Sequence, residues 1–583
     1  MFGGPRIIAG VAGLIATSPA LATCSLGLSE LPVTMAGLRP LLETKVNGVE
    51  TPFMVDSGAF YSMITPGAAA RLGLRTRAMP AGLTISGANG TADASVATIK
   101  LFTIAGVNVP NIDFIVAGGA IGAESAGVIG QNVLGIFDVE YDLANGAMRL
   151  IKAKGCERKM LAYWAKGVPY MEVAMEARTG RMSHAVVTVS VNGVKLRAML
   201  DTGAATSVIA LGGARRAGIR PTGPGVEIHG LSGGIGSRAV RTWVAPVGSF
   251  AIGGLRVNRT KIAIGDVDLG IADMLLGDDF FLSNRVYIAN SQNKVYFTYN
   301  GGRMFNLGPA QANAKARKEH DTFVGADPTE ASGFARRGNA LLARGDTNRA
   351  IADLTRAIEL APTEPRYYFA RARAHAEAKD ETSAVKDLDS ALKNRADDAE
   401  VLTMRAEMRF KAHDLAGARA DADAASKAAS AQADLRIDLG QIYTELDLFA
   451  PAIAEYDKWL SFHAAASETY AALNGRCWAS GLGGIRLDSA VRDCDLAVRR
   501  SLRSPGALDS RGMVHLRRGE FDKAVADYDL ALSRVPGMTW SLYGRGIAKA
   551  KLGRKAESEA DIVAATKSDE AVIDRAKKLG IVP

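Results

Sequence analysis

The sequence predicts a multidomain protein in which two all-β lobes, related by an internal duplication, precede an all-α solenoid of helical repeats. Three observations support this fold class. One phrase occurs twice with an offset of 145 residues, apolar residues alternate around Asn-Gly pairs within residues 30–300, and the last part of the chain is periodic. Internal repeats of this kind identify an architecture early. The 583 residues also exceed what one hydrophobic core organises, so several domains are expected.

The duplicated phrase is centred on an aspartate. Residues 46–75 and 191–220 align without gaps and are identical at 15 of 30 positions. Each copy opens with Val-Asn-Gly-Val, which predicts a β-hairpin. Each then runs through an apolar strand end into Asp56 or Asp201, followed by Ser or Thr, Gly and Ala. Because burying a carboxylate between apolar strands is costly, the repeated Asp indicates a functional pair.

Each aspartate is followed by the same three features in the same order. A Gly-bearing hairpin comes first, an apolar-apolar-Gly segment second, and a closing β pattern third. These segments are residues 85–90, 128–130 and 139–151 in the first copy, and residues 228–234, 275–277 and 286–299 in the second. Their alternating patterns predict β-strands.

This order of segments resembles the aspartic peptidases, and most closely the retropepsin-like kind, in which two such lobes complete one site. The resemblance covers roughly residues 30–300 and implies an acid-protease fold with both lobes fused in one chain. Lobe 1 is expected at residues 30–156 and lobe 2 at residues 168–300. The resemblance further implies an aspartic-type endopeptidase in which Asp56 and Asp201 are the catalytic pair.

The resemblance also assigns supporting roles in the two Asp loops. Ser57 and Thr202 are expected to brace these loops across the interface between the lobes. Gly58 and Gly203 are expected to allow the tight turns that direct both carboxyl groups inward.

Two flap hairpins are implied to close over an extended peptide. The first contributes Gly87, and the second contributes His229 and Gly230. We interpret His229 as an exposed hairpin side chain. A substrate contact or a pH-sensing role remains an alternative for it.

The chemistry of two neighbouring carboxyl groups explains why the Asp must occur twice. Both cannot ionise easily at short distance, so they share one proton. The ionised group takes a proton from water while the protonated group donates to the peptide carbonyl, and no cofactor is needed. The seven His and four Cys show no zinc-ligand spacing, so no metal is expected. Two other interpretations stay open: a peptide-binding or scaffold protein whose lobes have lost activity, and a structural β-sandwich with two buried Asp.

The C-terminal part of the chain has a period of 34 residues. Ala350, Ala384, Ala418 and Ala452 are spaced by 34, Ala490 follows after 38, and Ala524 after 34 more. This register resembles the tetratricopeptide repeat, a helix–turn–helix unit in which small residues let two helices pack closely. The resemblance covers about residues 331–566 and implies six to seven repeats. The repeat domain is expected at residues 331–570, after a polar linker at residues 301–330, and is expected to bind a protein partner or substrate.

The N-terminus resembles an export signal. Arg6 precedes the apolar run at residues 7–16, and Ala-Leu-Ala at residues 20–22 fits a cleavage site. The expected signal peptide is residues 1–22, which predicts a periplasmic or secreted protein with no other membrane-spanning segment. An uncleaved anchor and lipidation at Cys24 are the alternatives.

Four cysteines in an exported chain suggest disulfide bonds. In the repeat register, Cys477 and Cys494 fall on the two facing helices of the fifth unit, which favours their pairing. Domain membership also favours a bond between Cys24 and Cys156, which would tie the mature N-terminus to the end of lobe 1. Four free thiols in a reducing compartment are the alternative. The net charge of +9 is spread without a Lys/Arg run, so no nucleic-acid partner is expected.

Overall fold

The structure is a computed structural model that describes residues 24–79, 85–87, 90–92, 94–104, 106–117, 125–176, 184–232, 240–305, 327–463 and 469–583. The expected signal peptide at residues 1–22 lies outside the described residues, as does most of the expected linker. Two β-rich lobes come first and a helical solenoid follows, which confirms the predicted fold class.

Lobe 1 is built from short strands and a few short helices. Its strands are β1 (Ser25–Met35), β2 (Pro40–Leu42), β3 (Thr44–Val46), β4 (Val49–Glu50), β5 (Phe53–Val55), β6 (Met63–Ile64), β7 (Thr76–Ala78), β8 (Ile85–Gly87), β9 (Gly90–Ala92), β10 (Ser95–Ile104), β11 (Val107–Val116), β12 (Gly127–Ile129), β13 (Asp138–Asp142) and β14 (Ala147–Lys154). Its helices are α1 (Pro66–Arg71) and α2 (Gln131–Leu134), with a 3-10 turn at Leu143–Asn145.

Lobe 2 repeats this pattern with longer strands. Its strands are β15 (Met171–Ala174), β16 (Val186–Val191), β17 (Val194–Leu200), β18 (Val208–Ala210), β19 (Glu227–Ser232), β20 (Val240–Ile252), β21 (Leu255–Gly265), β22 (Met274–Leu276), β23 (Asn284–Ala289) and β24 (Lys294–Tyr299). Its helices are α3 (Leu211–Arg216) and α4 (Asp278–Ser283).

In both lobes, the strand that ends at the Asp is paired with the apolar-apolar-Gly strand. In lobe 1, β12 runs parallel to β5 and antiparallel to β6. In lobe 2, β22 runs parallel to β17 and antiparallel to β18. Every residue of β5, β12 and β22 is buried. The duplicated sequence therefore folds into the same local framework twice, with an Asp at the same strand end.

The Asn-Gly pairs before the two Asp strands form the predicted hairpin turns. Asn47 and Gly48 have φ values of 51° and 86°, and Asn192 and Gly193 have values of 49° and 83°. Positive φ at both central residues is what a type I′ turn requires. The turn joins β3 to β4 in lobe 1 and β16 to β17 in lobe 2.

The closing strands of the two lobes join in one sheet. Its order is β15-β24-β23-β13-β14-β1, and β13 of lobe 1 pairs antiparallel with β23 of lobe 2. Glu140 in β13 is fully buried, and it accepts hydrogen bonds from Arg149 of its own lobe at 2.5 Å and from Arg285 of the other at 2.9 Å. A buried carboxylate needs such cationic partners, and here they hold the lobes side by side.

The solenoid consists of seven helix pairs and a final helix within residues 327–463 and 469–583. They are α5 (Ala331–Ala343), α6 (Thr347–Leu360), α7 (Pro365–Glu377), α8 (Glu381–Asn394), α9 (Ala399–Lys411), α10 (Leu415–Ala428), α11 (Arg436–Glu445), α12 (Phe449–Phe462), α13 (Thr469–Gly483), α14 (Leu487–Arg500), α15 (Pro505–Arg517), α16 (Phe521–Leu532), α17 (Thr539–Lys551), α18 (Lys555–Ser568) and α19 (Glu570–Lys578).

Residues that recur every 34 positions cap the N-termini of several of these helices and pack between them. Asp346, Asp380 and Asp414 lie 34 residues apart, and each side chain accepts a hydrogen bond from a backbone N–H of the following helix. Such a cap satisfies a donor that the first helical turn leaves free. The six periodic Ala residues singled out in the sequence are all buried, as close packing of the paired helices requires.

A polar linker at residues 301–330 predicts few contacts between the lobes and the repeats, but the repeats pack directly on the lobes. Ala340 of α5 is buried in the same apolar cluster as the strands of both lobes. The Arg344 guanidinium donates to the Gly301 carbonyl at 2.8 Å, and Arg366 pairs with Glu43 at 3.6 Å. Sequence periodicity identified the repeats but carried no information about which surface they would cover.

The beginning of the expected linker at residues 301–330 belongs to the folded lobes. Met304 and Phe305 are buried, and the Phe305 ring packs edge-on against Phe250 with 4.8 Å between ring centroids. Two apolar side chains are enough to anchor a segment that shows no regular pattern.

The structure joins Cys24 to Cys156 and Cys477 to Cys494, the pairs expected from the sequence. The first bond links the start of β1 to the segment after β14, and the second links α13 to α14. None of the described helices has the length and apolar character that crossing a membrane requires. Within the described parts of the chain, His, Cys, Asp and Glu side chains form no group of three or more suited to a metal ion.

Candidate active site

The loops that follow β5 and β17 are joined by reciprocal hydrogen bonds. The Ser57 N–H donates to Thr202 Oγ1 at 3.0 Å, and the Thr202 N–H donates to Ser57 Oγ at 3.0 Å. Each hydroxyl also donates to a strand-end carbonyl of the opposite lobe, Ser57 Oγ to Leu200 at 2.9 Å and Thr202 Oγ1 to Val55 at 2.9 Å. Both hydroxyl side chains are fully buried, so the two loops form one rigid unit.

Asp56 and Asp201 meet at this junction. The N–H groups of Gly58 and Ala59 donate to Asp56 Oδ1 at 2.9 and 2.7 Å, and the Gly203 N–H donates to Asp201 Oδ1 at 2.8 Å. The two carboxyl groups lie close enough for a proton on one to be donated to the other. Both sequence-predicted Asp residues are therefore brought together, with their orientation fixed by their own loops.

Gly58 and Gly203 are needed because the lobes approach each other closely at this point. A Cβ on Gly58 would overlap the carboxyl group of Asp201, and a Cβ on Gly203 would overlap that of Asp56. The sequence suggested a tight turn as the reason for these glycines. The structure shows a different reason, since each glycine makes room for the Asp of the other lobe.

A second pair of contacts supports each loop from the helix after the apolar-apolar-Gly strand. In lobe 1, Asn132 Oδ1 accepts from the Ser62 N–H at 2.7 Å and the Ser62 hydroxyl at 2.8 Å. In lobe 2, Asp279 Oδ1 accepts from the Ser207 N–H at 2.9 Å and the Ser207 hydroxyl at 2.6 Å. These four residues were not predicted from the sequence, although the two Ser residues are identical positions of the duplicated phrase.

Burial and mutual repulsion shift the protonation of the pair. Burial raises the pKa of Asp56 well above its ordinary value, and the charge of Asp201 raises it further. Burial also raises the pKa of Asp201, while the Gly203 N–H, the hydrogen bond with Asp56 and the charge of His184 oppose this rise. The pair is therefore expected to hold one shared proton at pH values between its two ionisation steps.

A third carboxyl group is buried beside the pair. Asp278, the first residue after the apolar-apolar-Gly strand of lobe 2, is fully buried, and its oxygens have no hydrogen-bond partner among the described residues. Burial, and next the charge of Asp201, raise the pKa of Asp278 well above its usual value, which favours the neutral acid. The equivalent residue of lobe 1 is Gln131, whose amide donates to the Ser57 carbonyl at 2.7 Å.

His184 is a further neighbour of the pair that the sequence analysis missed. Its Nε2 lies 3.0 Å from the Gly58 carbonyl oxygen, across the interface between the lobes. The signal that could have found it is the offset from the Asp: His184 precedes Asp201 by 17 residues, and Arg39 precedes Asp56 by the same distance. A basic residue thus occupies the same position in both copies.

The predicted flap residues lie on hairpins apart from these loops. Gly87 pairs with Gly90 in the β8–β9 hairpin. His229 is exposed in β19, next to Gly230, which has a φ of 135° at an irregularity in the β19–β20 pairing. Residues 88–89 and 233–239, which follow β8 and β19 in the sequence, lie outside the described residues.

The chain is similar to several solved structures, two of which are described as tetratricopeptide repeat proteins. A tetratricopeptide repeat protein from Parabacteroides merdae ATCC 43184 is 18% identical, with a TM-score of 0.35, over 43% of this chain and 99% of that chain. YrrB, described as a TPR protein with an unusual peptide-binding site, is 17% identical, with a TM-score of 0.24, over 39% of this chain and 97% of that chain. Yeast Tom70 is 15% identical, with a TM-score of 0.28, over 39% of this chain and 48% of that chain. No curated protein sequence matches the chain.

Two protein families match separate parts of the sequence. Residues 42–133 and 187–280 each match the family described as aspartyl protease, and each match contains one of the two Asp loops. Residues 336–399 match the tetratricopeptide repeat family. The chain therefore carries two lobes that match the aspartyl protease family, followed by a domain that matches the tetratricopeptide repeat family.

Proposed function

We propose that the protein is an exported aspartic endopeptidase whose repeats recruit a protein substrate or partner. The observation that carries the proposal is the pair of carboxyl groups, Asp56 and Asp201, held against each other by reciprocally hydrogen-bonded loops. Both loops keep the Asp, the hydroxyl residue and the glycine that this geometry needs. Loss of either Asp would have been enough to abolish a two-carboxyl mechanism.

The pair can activate water without a metal or a covalent intermediate. With one proton shared, the ionised carboxylate accepts a proton from a bound water, and the protonated carboxyl donates its proton to the oxygen of the peptide carbonyl. The water oxygen bonds to the carbonyl carbon and forms a tetrahedral diol. The C–N bond then breaks as the carboxyl group that took the water proton passes it to the leaving amine. The other carboxylate takes a proton from a diol hydroxyl, so the pair regains its starting protonation.

Export and recruitment, the other two parts of the proposal, are supported by different features of the chain. Export is supported by the signal-like residues 1–22 and by the two cysteine pairs, since disulfide bonds persist in oxidising compartments. Recruitment is supported by the repeats themselves, because stacked helix pairs present extended surfaces to protein ligands. Their packing on lobe 1 would keep a captured chain near the catalytic lobes.

The test of the activity is digestion of a random peptide library by the purified mature chain at several pH values. The comparison is with Asp201→Asn, and the matched control is Asp266→Asn, an exposed Asp of the same lobe. We expect cleavage by the wild type and by the control, and no cleavage by Asp201→Asn. If the wild-type chain bound peptides but cleaved none at any pH, the non-catalytic peptide-binding alternative would replace the proposal.

A further inference from the structure

His184 reaches from lobe 2 to the catalytic loop of lobe 1. It lies just before β16, it is half-buried, and its Nε2 is 3.0 Å from the Gly58 carbonyl oxygen. Its ring also packs near Phe60, with 6.2 Å between ring centroids. One imidazole thus contacts two residues of the loop that begins at Asp56.

The same contact brings the imidazole close to the catalytic residue of its own lobe. Gly58 lies directly against the carboxyl group of Asp201, because a Cβ on Gly58 would overlap that group. Gly58 is therefore close to both His184 and Asp201. A positive charge on His184 lowers the pKa of Asp201, whereas burial and the charge of Asp201 both raise the pKa of Asp56. The two Asp residues have similar loops but different electrostatic surroundings.

The duplication places a different kind of cation at the equivalent position of lobe 1. Arg39 stands where lobe 2 has His184, and an Arg stays charged at every pH that a protein survives. The charge of Arg39 acts on Asp278 and on Asp434 of the repeat domain. His, by contrast, ordinarily loses its charge near pH 6.5. The cation that acts on Asp201 is therefore the titratable one.

We propose, building on the proposed peptidase function, that His184 is a positioning residue that clamps the first catalytic loop and, while protonated, makes Asp201 the ionised member of the pair. Asp201 then accepts the proton from water, and Asp56 donates to the peptide carbonyl. The groups near His184 include the Gly58 carbonyl and the Phe60 ring from lobe 1 and the Asp201 carboxylate from lobe 2. A neutral imidazole can keep the bond to Gly58, but it no longer favours charge on Asp201.

A titration tests the charge coupling without any need for activity. The full-length chain is labelled at its His residues, and the His184 signal is assigned by its loss in His184→Gln. Because coupling between two sites is reciprocal, removing the charge of Asp201 must affect His184. We expect the pKa of His184 to be lower in Asp201→Asn than in the wild type. The same pKa in both proteins would overturn the proposal.

A pH–rate profile tests the consequence for catalysis with a cleavable peptide from the library. His184→Gln keeps a hydrogen-bond donor without a charge, and His184→Arg keeps a permanent charge like that of Arg39. Without the cation, Asp201 ionises at higher pH, so the acid limb of kcat/KM in His184→Gln should move up by on the order of one pH unit. The acid limb of His184→Arg should stay at the wild-type position.

The control is His413→Gln, at an exposed turn of the repeat domain, and it should leave the profile unchanged. If His184→Gln and His184→Arg lowered the rate alike with no shift of the acid limb, His184 would have a structural role alone, and the proposal would be wrong. If the wild type cleaved no peptide at any pH, the peptidase function would fail, and the titration would still decide the coupling.

Discussion

At the residue scale, the environment of the two carboxyl groups decides what each Asp contributes. The two groups sit in similar loops and accept hydrogen bonds from backbone N–H groups, yet the side chains around them differ. Asp201 has His184 nearby, and Gln131 and Asp278 occupy equivalent places beside the pair in the two lobes. The residues that surround the pair therefore differ between the two lobes, while the two Asp residues themselves are the same.

Asp56→Asn and Asp201→Asn should each abolish peptide hydrolysis, with a loss of roughly a thousandfold or more in kcat, because the two groups act as one unit. For the same reason, the double variant should be no worse than either single one. Activity should also fall as pH rises past the point where the shared proton is lost. Kinetics with a library-derived peptide measures this, and circular dichroism checks that the fold is retained. A single variant with most of its activity would exclude the two-carboxyl mechanism.

Asp278→Asn should change how stability depends on pH. The folded pKa of Asp278 is raised above its unfolded value, chiefly by burial, so its contribution to stability is complete below about pH 3.9 and is lost as pH rises through the folded pKa. Asn cannot ionise. The stability of the variant relative to the wild type should therefore increase between about pH 4 and pH 7.

Urea unfolding at the two pH values, followed by the fluorescence of the lobes, measures this difference for Asp278→Asn. Asp266→Asn serves as the control, since Asp266 is exposed. If the free energies of unfolding of the variant and the wild type differed by the same amount at both pH values, ionisation of Asp278 would not destabilise the folded chain.

At the element scale, the repeats are held together by a ladder of arginines. In six of the seven helix pairs described, an Arg of the first helix forms two hydrogen bonds with an Asp of the second. These pairs are Arg337–Asp353, Arg371–Asp387, Arg405–Asp421, Arg476–Asp493, Arg511–Asp527 and Arg545–Asp561. Five of them repeat with a spacing of 16 residues, a signal that the sequence analysis did not use.

Most of these arginines also bind the preceding helix pair, so the ladder joins neighbouring repeats. Arg476 donates to Asp457 of α12 as well as to Asp493 of α14. Bidentate Arg–carboxylate contacts fix orientation as well as distance. The ladder therefore defines the angle between successive repeats, while the small residues define how closely the helices approach.

Arg476→Ala should destabilise the solenoid by about 1–3 kcal/mol, because it leaves a mostly buried Asp493 without its partner. The double variant Arg476→Ala/Asp493→Ala should cost less than the sum of the two single variants. Thermal unfolding of the full chain provides the comparison. Glu359→Ala is the control, since it removes a pair that is more than half exposed on both sides and should change stability little. Strict additivity of Arg476→Ala and Asp493→Ala would argue against a coupled pair.

At the scale of the whole molecule, the repeats and the lobes share an apolar core and several polar contacts. Ala340 lies in the core of the lobes, and Arg241 of lobe 2 donates to the Leu502 carbonyl at 3.3 Å. The solenoid thus contacts both lobes. This arrangement makes the repeats a structural partner of the lobes in addition to any role in recruitment.

A chain that ends at residue 305 should unfold at a lower temperature than the full chain, because removing α5 exposes apolar surface that Ala340 now covers. It should still cleave short peptides, since the Asp loops lie within the lobes, and it should lose efficiency on the protein substrate. Calorimetry and turnover on both kinds of substrate measure this. Unfolding of the lobes at an unchanged temperature would mean that the packing contributes nothing.

Peptide mapping without reduction should recover Cys477 linked to Cys494 and Cys24 linked to Cys156 in protein taken from the cell envelope. The buried Cys477–Cys494 pair closes a short loop and should stabilise the chain by about 3 kcal/mol. Reduction should therefore lower the unfolding temperature of the solenoid. Free thiols at both positions would count against the pairing and against export together.

The sequence by itself determined the fold class, the two Asp loops and the repeat domain. These features can be predicted because the duplication, the hairpin turns and the helical repeats each place particular residues at fixed spacings in the sequence. The family matches confirm both parts. The loop positions Ser57, Thr202, Gly58 and Gly203 could also be proposed, since each lies within two residues of an Asp.

The tertiary structure alone decided which distant residues surround those loops. The contact of His184 with Gly58, the burial of Asp278 beside the pair, and the packing of α5 on lobe 1 join residues that no local pattern relates. Each depends on how distant parts of the chain pack against one another, and this packing follows from the shape and charge of whole surfaces. Short spacings in the sequence reveal loops, turns and repeats, but they do not reveal contacts between residues that are far apart in the chain.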